Sequence, residues 1–132
     1  MKVDDYEVPE DLLYTDGHLW IRREGDLLRL GITDYAQKQI REVLFVDLPE
    51  KGAVIERGLN IATLETIKRV VDLSSPVKCE VVEVNEELQD RPDLVNSDPY
   101  GKGWIVLVKP LEDLEGVLAA EEYASLIKEG SA

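Results

Sequence analysis

The sequence predicts a mainly β fold, a small sandwich or barrel with one short internal helix and a helical C-terminal tail. Three observations carry that reading. Apolar and β-branched runs recur between closely spaced turn residues, as in LFVDLPEKGAVIERGLNIATLET, where Pro49, Gly52 and Gly58 punctuate the pattern. One segment, TDYAQKQIREV (33–43), follows helical spacing instead, with Ala36, Ile40, Val43 and Leu44 on one side. The tail DLEGVLAAEEYASLIKEGSA places Leu114, Val117 and Leu118 in one apolar stripe and Tyr123, Leu126 and Ile127 in a second.

Taken in order, HLWIRRE (18–24) and LLRLGIT (27–33) form a hairpin through the two-residue turn Gly25-Asp26, with a further turn at Asp16-Gly17 just before it. The helix over 33–43 starts at Asp34, which with Gln37 reads as a capping box. Residues 44–66 return to short strands. Residues 69–84 give two more strands broken at Pro76. The stretch NEELQDRPDLVNSDPYGKG (85–103) is dense in Asn, Asp, Pro and Gly, and is expected to be mostly loop. WIVLVKP closes the β part. Trp20 and Trp104 are expected to be structural, each in a strand of the apolar core. The tail, 112–130, is expected to form two short helices ending near Gly130.

Bulk properties bound the function. A chain of 132 residues that is 44% hydrophobic supports one domain, 1–132, with a real core. Its formal net charge of -13 opposes binding to a phosphate backbone or to an anionic membrane, both of which attract basic surfaces. The first residues, MKVDDYEVPEDLLY, lack the apolar run of an export signal, and no stretch approaches the length of a spanning helix. With the single Cys79 unable to form an internal disulfide, a cytoplasmic location is expected. Cys79 and the single His18 cannot complete a structural zinc site.

Templates for catalysis fail in turn. No nucleophile elbow, phosphate-binding loop, dinucleotide-binding glycine pattern or HExxH is present. His18 as a base would need Ser74, Ser75 or Cys79 as its nucleophile, and no local pattern supports either pairing. The acidic pairs Glu86-Glu87 and Glu121-Glu122 read as solvated surface.

The remaining feature is Lys68, set in TLETIKRVVDLSSPV (63–77) between Thr63, Leu64 and Ile67 on one side and Val70, Val71 and Leu73 on the other. From spacing alone it is a solvent-facing lysine at a strand end or turn. A lysine on a turn between paired strands also projects on a rigid support, which is what a covalent prosthetic arm requires.

Here the sequence resembles the glycine cleavage system H protein family. ETIKRVVDLSSPV is similar to its lipoylation hairpin, and GITDYAQ (31–37), LFVDLPEKG (44–52), EVVEVNEEL (80–88) and DLVNSDPYGKGW (93–104) are similar to further family segments in the same order. The resemblance implies a lipoyl-domain-like flattened barrel or sandwich, a barrel-sandwich hybrid, with helices packed around it. It implies a lipoyl carrier with no catalytic activity of its own, bearing lipoic acid in amide linkage on Lys68, with Glu65 and Asp72 in the flanking motif and no metal. Its implied partners are glycine decarboxylase, aminomethyltransferase, dihydrolipoyl dehydrogenase and a lipoyl ligase or transferase. The carrier is expected to act as a monomer. Tethering raises the effective concentration of the carried group at each docked partner, and the acidic charge would steer the carrier toward basic docking faces.

Three departures bear on pathway. The family commonly has His-Glu-Trp where this chain has His18-Leu19-Trp20, and that Glu is associated with holding the cationic aminomethyl-lipoyl arm in a cleft, together with the Asp that corresponds to Asp72. An ammonium drawn out of water needs a charge partner, whose loss costs on the order of 1 to 3 kcal/mol. Arg69 replaces a small residue beside the lysine. Cys79 stands where Gly is usual, either as a small packed side chain or as a thiol able to exchange with the lipoyl disulfide. Two alternatives therefore accompany the glycine cleavage carrier: an H-like lipoate-binding carrier for another pathway, such as heterodisulfide-reductase-like sulfur oxidation, and an unmodified scaffold in which Lys68 is an ordinary lysine.

Overall fold

The computed structural model describes residues 1–128. The first half of the chain runs β1 (Lys2–Val3), β2 (Tyr6–Glu7), β3 (Leu13–Tyr14), β4 (Leu19–Glu24), β5 (Leu27–Ile32), α1 (Asp34–Ile40) and β6 (Val43–Asp47). It continues through β7 (Val54–Ile55), β8 (Asn60–Thr66), β9 (Val70–Ser74) and β10 (Cys79–Val84). The helical turns α2 (Glu87–Asp90) and α3 (Leu94–Ser97), strand β11 (Val106–Pro110) and helix α4 (Ala120–Lys128) complete it.

A six-stranded sheet, ordered β3-β4-β5-β11-β10-β7, faces a three-stranded sheet, ordered β6-β8-β9, and β1-β2 form a small ribbon apart. Every named pair is antiparallel. The chain crosses between the sheets twice at one end. Gly58, at φ 86°, turns β7 into β8, and the Ser75-Pro76 corner turns β9 into β10. The crossings are tied together by Gly58 N donating to Ser75 O at 2.9 Å and Ser75 N to Leu59 O at 2.8 Å. This is why the strands predicted over 69–84 break at Pro76: they belong to different sheets.

Alternation along the strands fills the space between the sheets. Ile21, Leu28, Leu30, Val81, Val106 and Val108 meet Val46, Leu64 and Leu73 there, all nearly inaccessible to water. Strand β4 is buried on both faces, because Trp20 points the other way, into a second cluster with Val8, Leu12, Tyr14, Tyr123 and Ile127. Trp20 faces Gly31 across the pair, and a Cβ at Gly31 would lie 2.7 Å from the indole. Glycine is required there by space.

Several expectations need correction. Thr33, not Asp34, caps α1: its hydroxyl accepts from Ala36 N at 3.1 Å. The Asp34 carboxylate, which does accept from Gln37 Nε2 at 2.7 Å, is recruited by the tertiary fold and takes Glu7 N at 2.9 Å. Segment 85–103 is mostly loop, as expected, but two four-residue helical turns are set in it. They are α2 and α3, which bury Leu88, Leu94 and Val95 in the inter-sheet core, and the segment's purpose is structural. Trp20 Nε1 donates to Pro99 O at 2.8 Å and Asn85 Nδ2 to Trp104 O at 2.7 Å, which fastens the segment down. Trp104 lies just before β11 rather than in a strand, half-buried under the Arg29 guanidinium at 4.3 Å. Among its described residues the tail holds one helix, not two. Leu114 and Val117 do pack on the core, but Gly116 at φ 70° interrupts the turn, and Leu118 instead forms a strand-like bridge with Tyr14. The end of the tail at Gly130 lies outside the described residues.

Candidate carrier site

The predicted hairpin over 63–77 is present as β8 and β9, paired from Asn60↔Ser74 to Glu65↔Val70. Its tip, Ile67-Lys68, is braced by a threonine. Thr66 N donates to Arg69 O at 2.9 Å, and the Thr66 hydroxyl accepts from Arg69 N at 3.2 Å. The hydroxyl thus occupies a backbone donor that a turn would otherwise leave to water. Lys68 is exposed and, among the described residues, makes no hydrogen bond or ion pair. A rigid turn therefore presents a free amine.

The two faces of the hairpin differ in chemistry. On the outer face one cross-strand row is Phe45, Glu65 and Val70, and the next is Asp47, Thr63 and Asp72. Asp72 is exposed and accepts from the Thr63 hydroxyl at 3.0 Å, while Thr63 is itself positioned by Asn60 Nδ2 at 2.9 Å. Glu65 is half-buried and has no partner of this kind among the described residues. On the inner side Arg69 follows the parity of Val71 and Leu73 and faces α1.

Three grooves meet this hairpin. One of about 390 Å³ lies between the end of α1 (Gln39, Ile40, Arg41) and the turn 66–69. Arg41, at φ 67° and ψ −149°, holds a backbone conformation that usually costs about 1–3 kcal/mol outside glycine, fixed by Asn96 Nδ2 donating to its carbonyl at 2.6 Å. A second groove, about 280 Å³, runs from Arg69 over Leu64, Val71 and Leu73 to His18 and Gly17. A third, about 260 Å³, begins at Gly17 and is lined by Leu19, Asp16 and Asp72, with Arg57 and Glu115 opposite.

The structure thus brings Leu19 and Asp72 to one groove, and Glu65 is not part of it. Sequence reasoning missed Asp16 and Arg57 there. Asp16 was legible as a turn residue, but its place on the groove wall depends on the unpaired edge of β9 lying beside the β3–β4 turn. Arg57 is compensated by Glu115 at 3.7 Å, which leaves Asp16 and Asp72 as the carboxylates that face the groove without an ion pair among the described residues. His18, with φ 69°, is structural: its Nδ1 meets Tyr123 Oη at 2.8 Å, and the same hydroxyl meets Thr33 Oγ1 at 2.6 Å. Burial pushes the imidazole below its usual range, against a smaller upward pull from Asp16.

Cys79 is fully buried in the six-stranded sheet, not in the lysine hairpin's sheet, with Sγ 3.6 Å from Ser75 Oγ. Burial pushes its thiol up, with the Ser75 hydrogen bond opposing. The exchange reading fails on both counts, and Cys79 is a packed side chain. Among the described residues no group of three or more His, Cys, Asp or Glu is arranged to hold a metal ion, and no helix is long and apolar enough to cross a membrane.

The geometry suits a covalent arm. A free amine stands on a braced turn, and an apolar groove leads from its foot to a second groove that carries unpaired carboxylates. A family model described as glycine cleavage H-protein matches residues 12–130. Glycine cleavage system H proteins of Rubrobacter xylanophilus and Thermus thermophilus are 47% and 45% identical, over 93% and 92% of this chain and 97% of each relative. Glycine cleavage system H protein 4 of Aquifex aeolicus is 43% identical over 96% of this chain and 75% of its own length. The crystal structure of a glycine cleavage system H protein from Mycobacterium marinum superposes with a TM-score of 0.85 at 36% identity, covering 91% of this chain and 98% of that one. The chain belongs to the glycine cleavage H-protein family.

Proposed function

We propose that Lys68 is the point at which this carrier holds lipoate, and that residues 1–132 act as one carrier domain. The observation that supports it is the exposed, unpaired amine on a turn braced by Thr66, in a chain whose family carries lipoic acid on a lysine. Bound lipoate supplies a disulfide that is reduced as it accepts a carried group and re-formed after the group is handed on. The protein's own residues present, shelter and orient. Thr66 fixes the turn. Leu64, Val71 and Leu73 offer an apolar wall beside it. Asp72, aligned by Thr63 and Asn60, offers a carboxylate to a cation at the far groove.

As a family member the chain works with the other glycine cleavage components. The finer reading is that it serves glycine decarboxylase, aminomethyltransferase and dihydrolipoyl dehydrogenase in turn, as a monomer in the cytoplasm, after a ligase or transferase has loaded it. Leu19 and Arg69 motivated a different lipoate-dependent pathway. Asp16 weighs against that, since it lines the same groove as Leu19 and Asp72 and supplies a second negative charge for an ammonium cargo.

Reconstitution with glycine decarboxylase tests the assignment. The lipoylated protein should sustain glycine decarboxylation, and Lys68→Arg should not. Leu19→Glu should lengthen the lifetime of the loaded arm if Asp16 compensates in part. Negligible wild-type activity would transfer the assignment to an H-like carrier for a cargo without an amine.

A further inference from the structure

The outer face of the three-stranded sheet is apolar where a solvated face would not be. Phe45, the chain's single phenylalanine, is 64% exposed and Val70 is 66% exposed. Phe45 and Val70 stand in one cross-strand row, with Glu65 between them, next to the row of Asp47, Thr63 and Asp72. Among the described residues Asp47 and Glu65 have no ion pair, and Asp72 takes a hydroxyl rather than a cation. The inner side is different: Arg41 at the end of α1 and Arg69 of the turn line a groove there, together with Ile67. An apolar centre bordered by uncompensated carboxylates is complementary to an apolar patch with a basic rim.

Reach identifies the occupant. Before an arm is attached, the Lys68 amine extends only five bonds of about 1.5 Å from its Cα. The enzyme that acylates it must therefore close on the tip itself. A specific interface of about 800 Å² per partner has a radius of roughly 16 Å, whereas Phe45 lies two strand spacings, about 10 Å, from Val70. The acylating enzyme cannot reach the amine without covering one side of this hairpin.

We propose that the face formed by Phe45 and Val70, with Glu65 between them and Asp47 and Asp72 at its border, is the docking surface for the enzyme that acylates Lys68, and that this enzyme meets it with an apolar patch rimmed by Lys or Arg. The inference rests on Lys68 being the attachment point. In the step served, the neutral amine forms an N–C bond to the carbonyl of an activated lipoyl donor. The bond from that carbonyl to its activating phosphate or thiolate breaks with its electron pair, one N–H proton passes to a base, and nothing is oxidised.

The test follows acylation of the unmodified protein by a lipoyl ligase with lipoate and ATP, using intact mass and peptide mapping. Phe45→Ser with Val70→Thr should lower kcat/KM at least tenfold, chiefly through KM, with an unchanged urea transition and unchanged acetylation of Lys68 by a small N-hydroxysuccinimide ester. Asp47→Lys, at an exposed site that cannot disturb the core, should also lower kcat/KM and weaken its dependence on salt. Arg41→Gly, on the other side, should stay within twofold of wild type. Outer-face variants within twofold of wild type, or an equal loss in Arg41→Gly, would overturn the proposal. Failure of the attachment reading looks different: wild type and all variants would then leave Lys68 unmodified alike.

Discussion

The molecule contains two hairpins of similar length that are put to opposite uses. In β4–β5 the turn Gly25-Asp26 is closed at its foot by a bidentate Arg29–Glu24 pair at 2.6 and 2.9 Å, and the strands are buried by β3, β11 and α4. In β8–β9 the tip has no tertiary cover among the described residues, β9 is a sheet edge, and order at the turn comes from the N–H and hydroxyl of one threonine, both bonded to the Arg69 backbone. The first hairpin is a core element because both of its faces meet other layers. The second keeps its inner face in the core through Leu64 and Leu73 and leaves its end to solvent. A carrier needs that division, since a tip that contributes little to stability is free to be gripped by several partners.

The two hairpins should differ most at Lys68. Lys68→Arg should abolish lipoylation and all carrier activity while changing stability by no more than about 0.5 kcal/mol, as measured by urea unfolding. A methyl group is then enough to separate the hairpins. Gly31→Ala forces a Cβ to within 2.7 Å of the Trp20 ring, so a loss of about 2–3 kcal/mol is expected, whereas Ile67→Ala on the other tip should stay within about 0.5 kcal/mol. Equal losses would show that the lysine turn is a structural element after all.

Smaller effects sharpen the picture of the first hairpin. Tyr123→Phe removes the hydroxyl shared by His18 and Thr33 and should cost about 1–2 kcal/mol. The pH dependence follows from His18, whose folded pKa is held below 6.5 by burial, against a smaller upward pull from Asp16. The unfolded chain binds the proton more readily, so this contribution is complete above pH 6.5 and declines as the pH falls through that value toward the folded pKa. Burial works to raise the Asp34 carboxyl, but hydrogen bonds from Glu7 N, Gln37 and Lys38 hold it below 3.8, so its contribution is lost at still lower pH. His18→Gln should flatten the stability profile between pH 7 and 5. An unchanged profile would remove His18 from the account.

Much of this was legible in the sequence where the cause is local. The hairpin over 18–33, the turn at Asp16-Gly17 and the strands on either side of Lys68 follow from alternation and from Gly or Pro at fixed points. What was missed depends on distant partners. Asp34 reads as a cap until Glu7 claims its carboxylate, 27 positions away. Segment 85–103 is mostly loop as expected, but its two helical turns are too short to show a period, and the burial of the segment depends on Trp20 reaching Pro99. Leu19 was legible as a lost acid, but Asp16 as its neighbour on the groove required the sheets to be placed. Phe45 gave no signal at all, since a phenylalanine among β-branched residues reads as core until the register turns it outward.

Whether the exposed turn carries the arm is decided by peptide mapping after incubation with a lipoyl ligase, lipoate and ATP. One lipoyl group per chain is expected, located on the peptide that contains Lys68 and absent from Lys68→Arg. A lipoyl group on Lys78 or Lys102 with Lys68 free, or no modification under conditions that fully load another H protein, would contradict it.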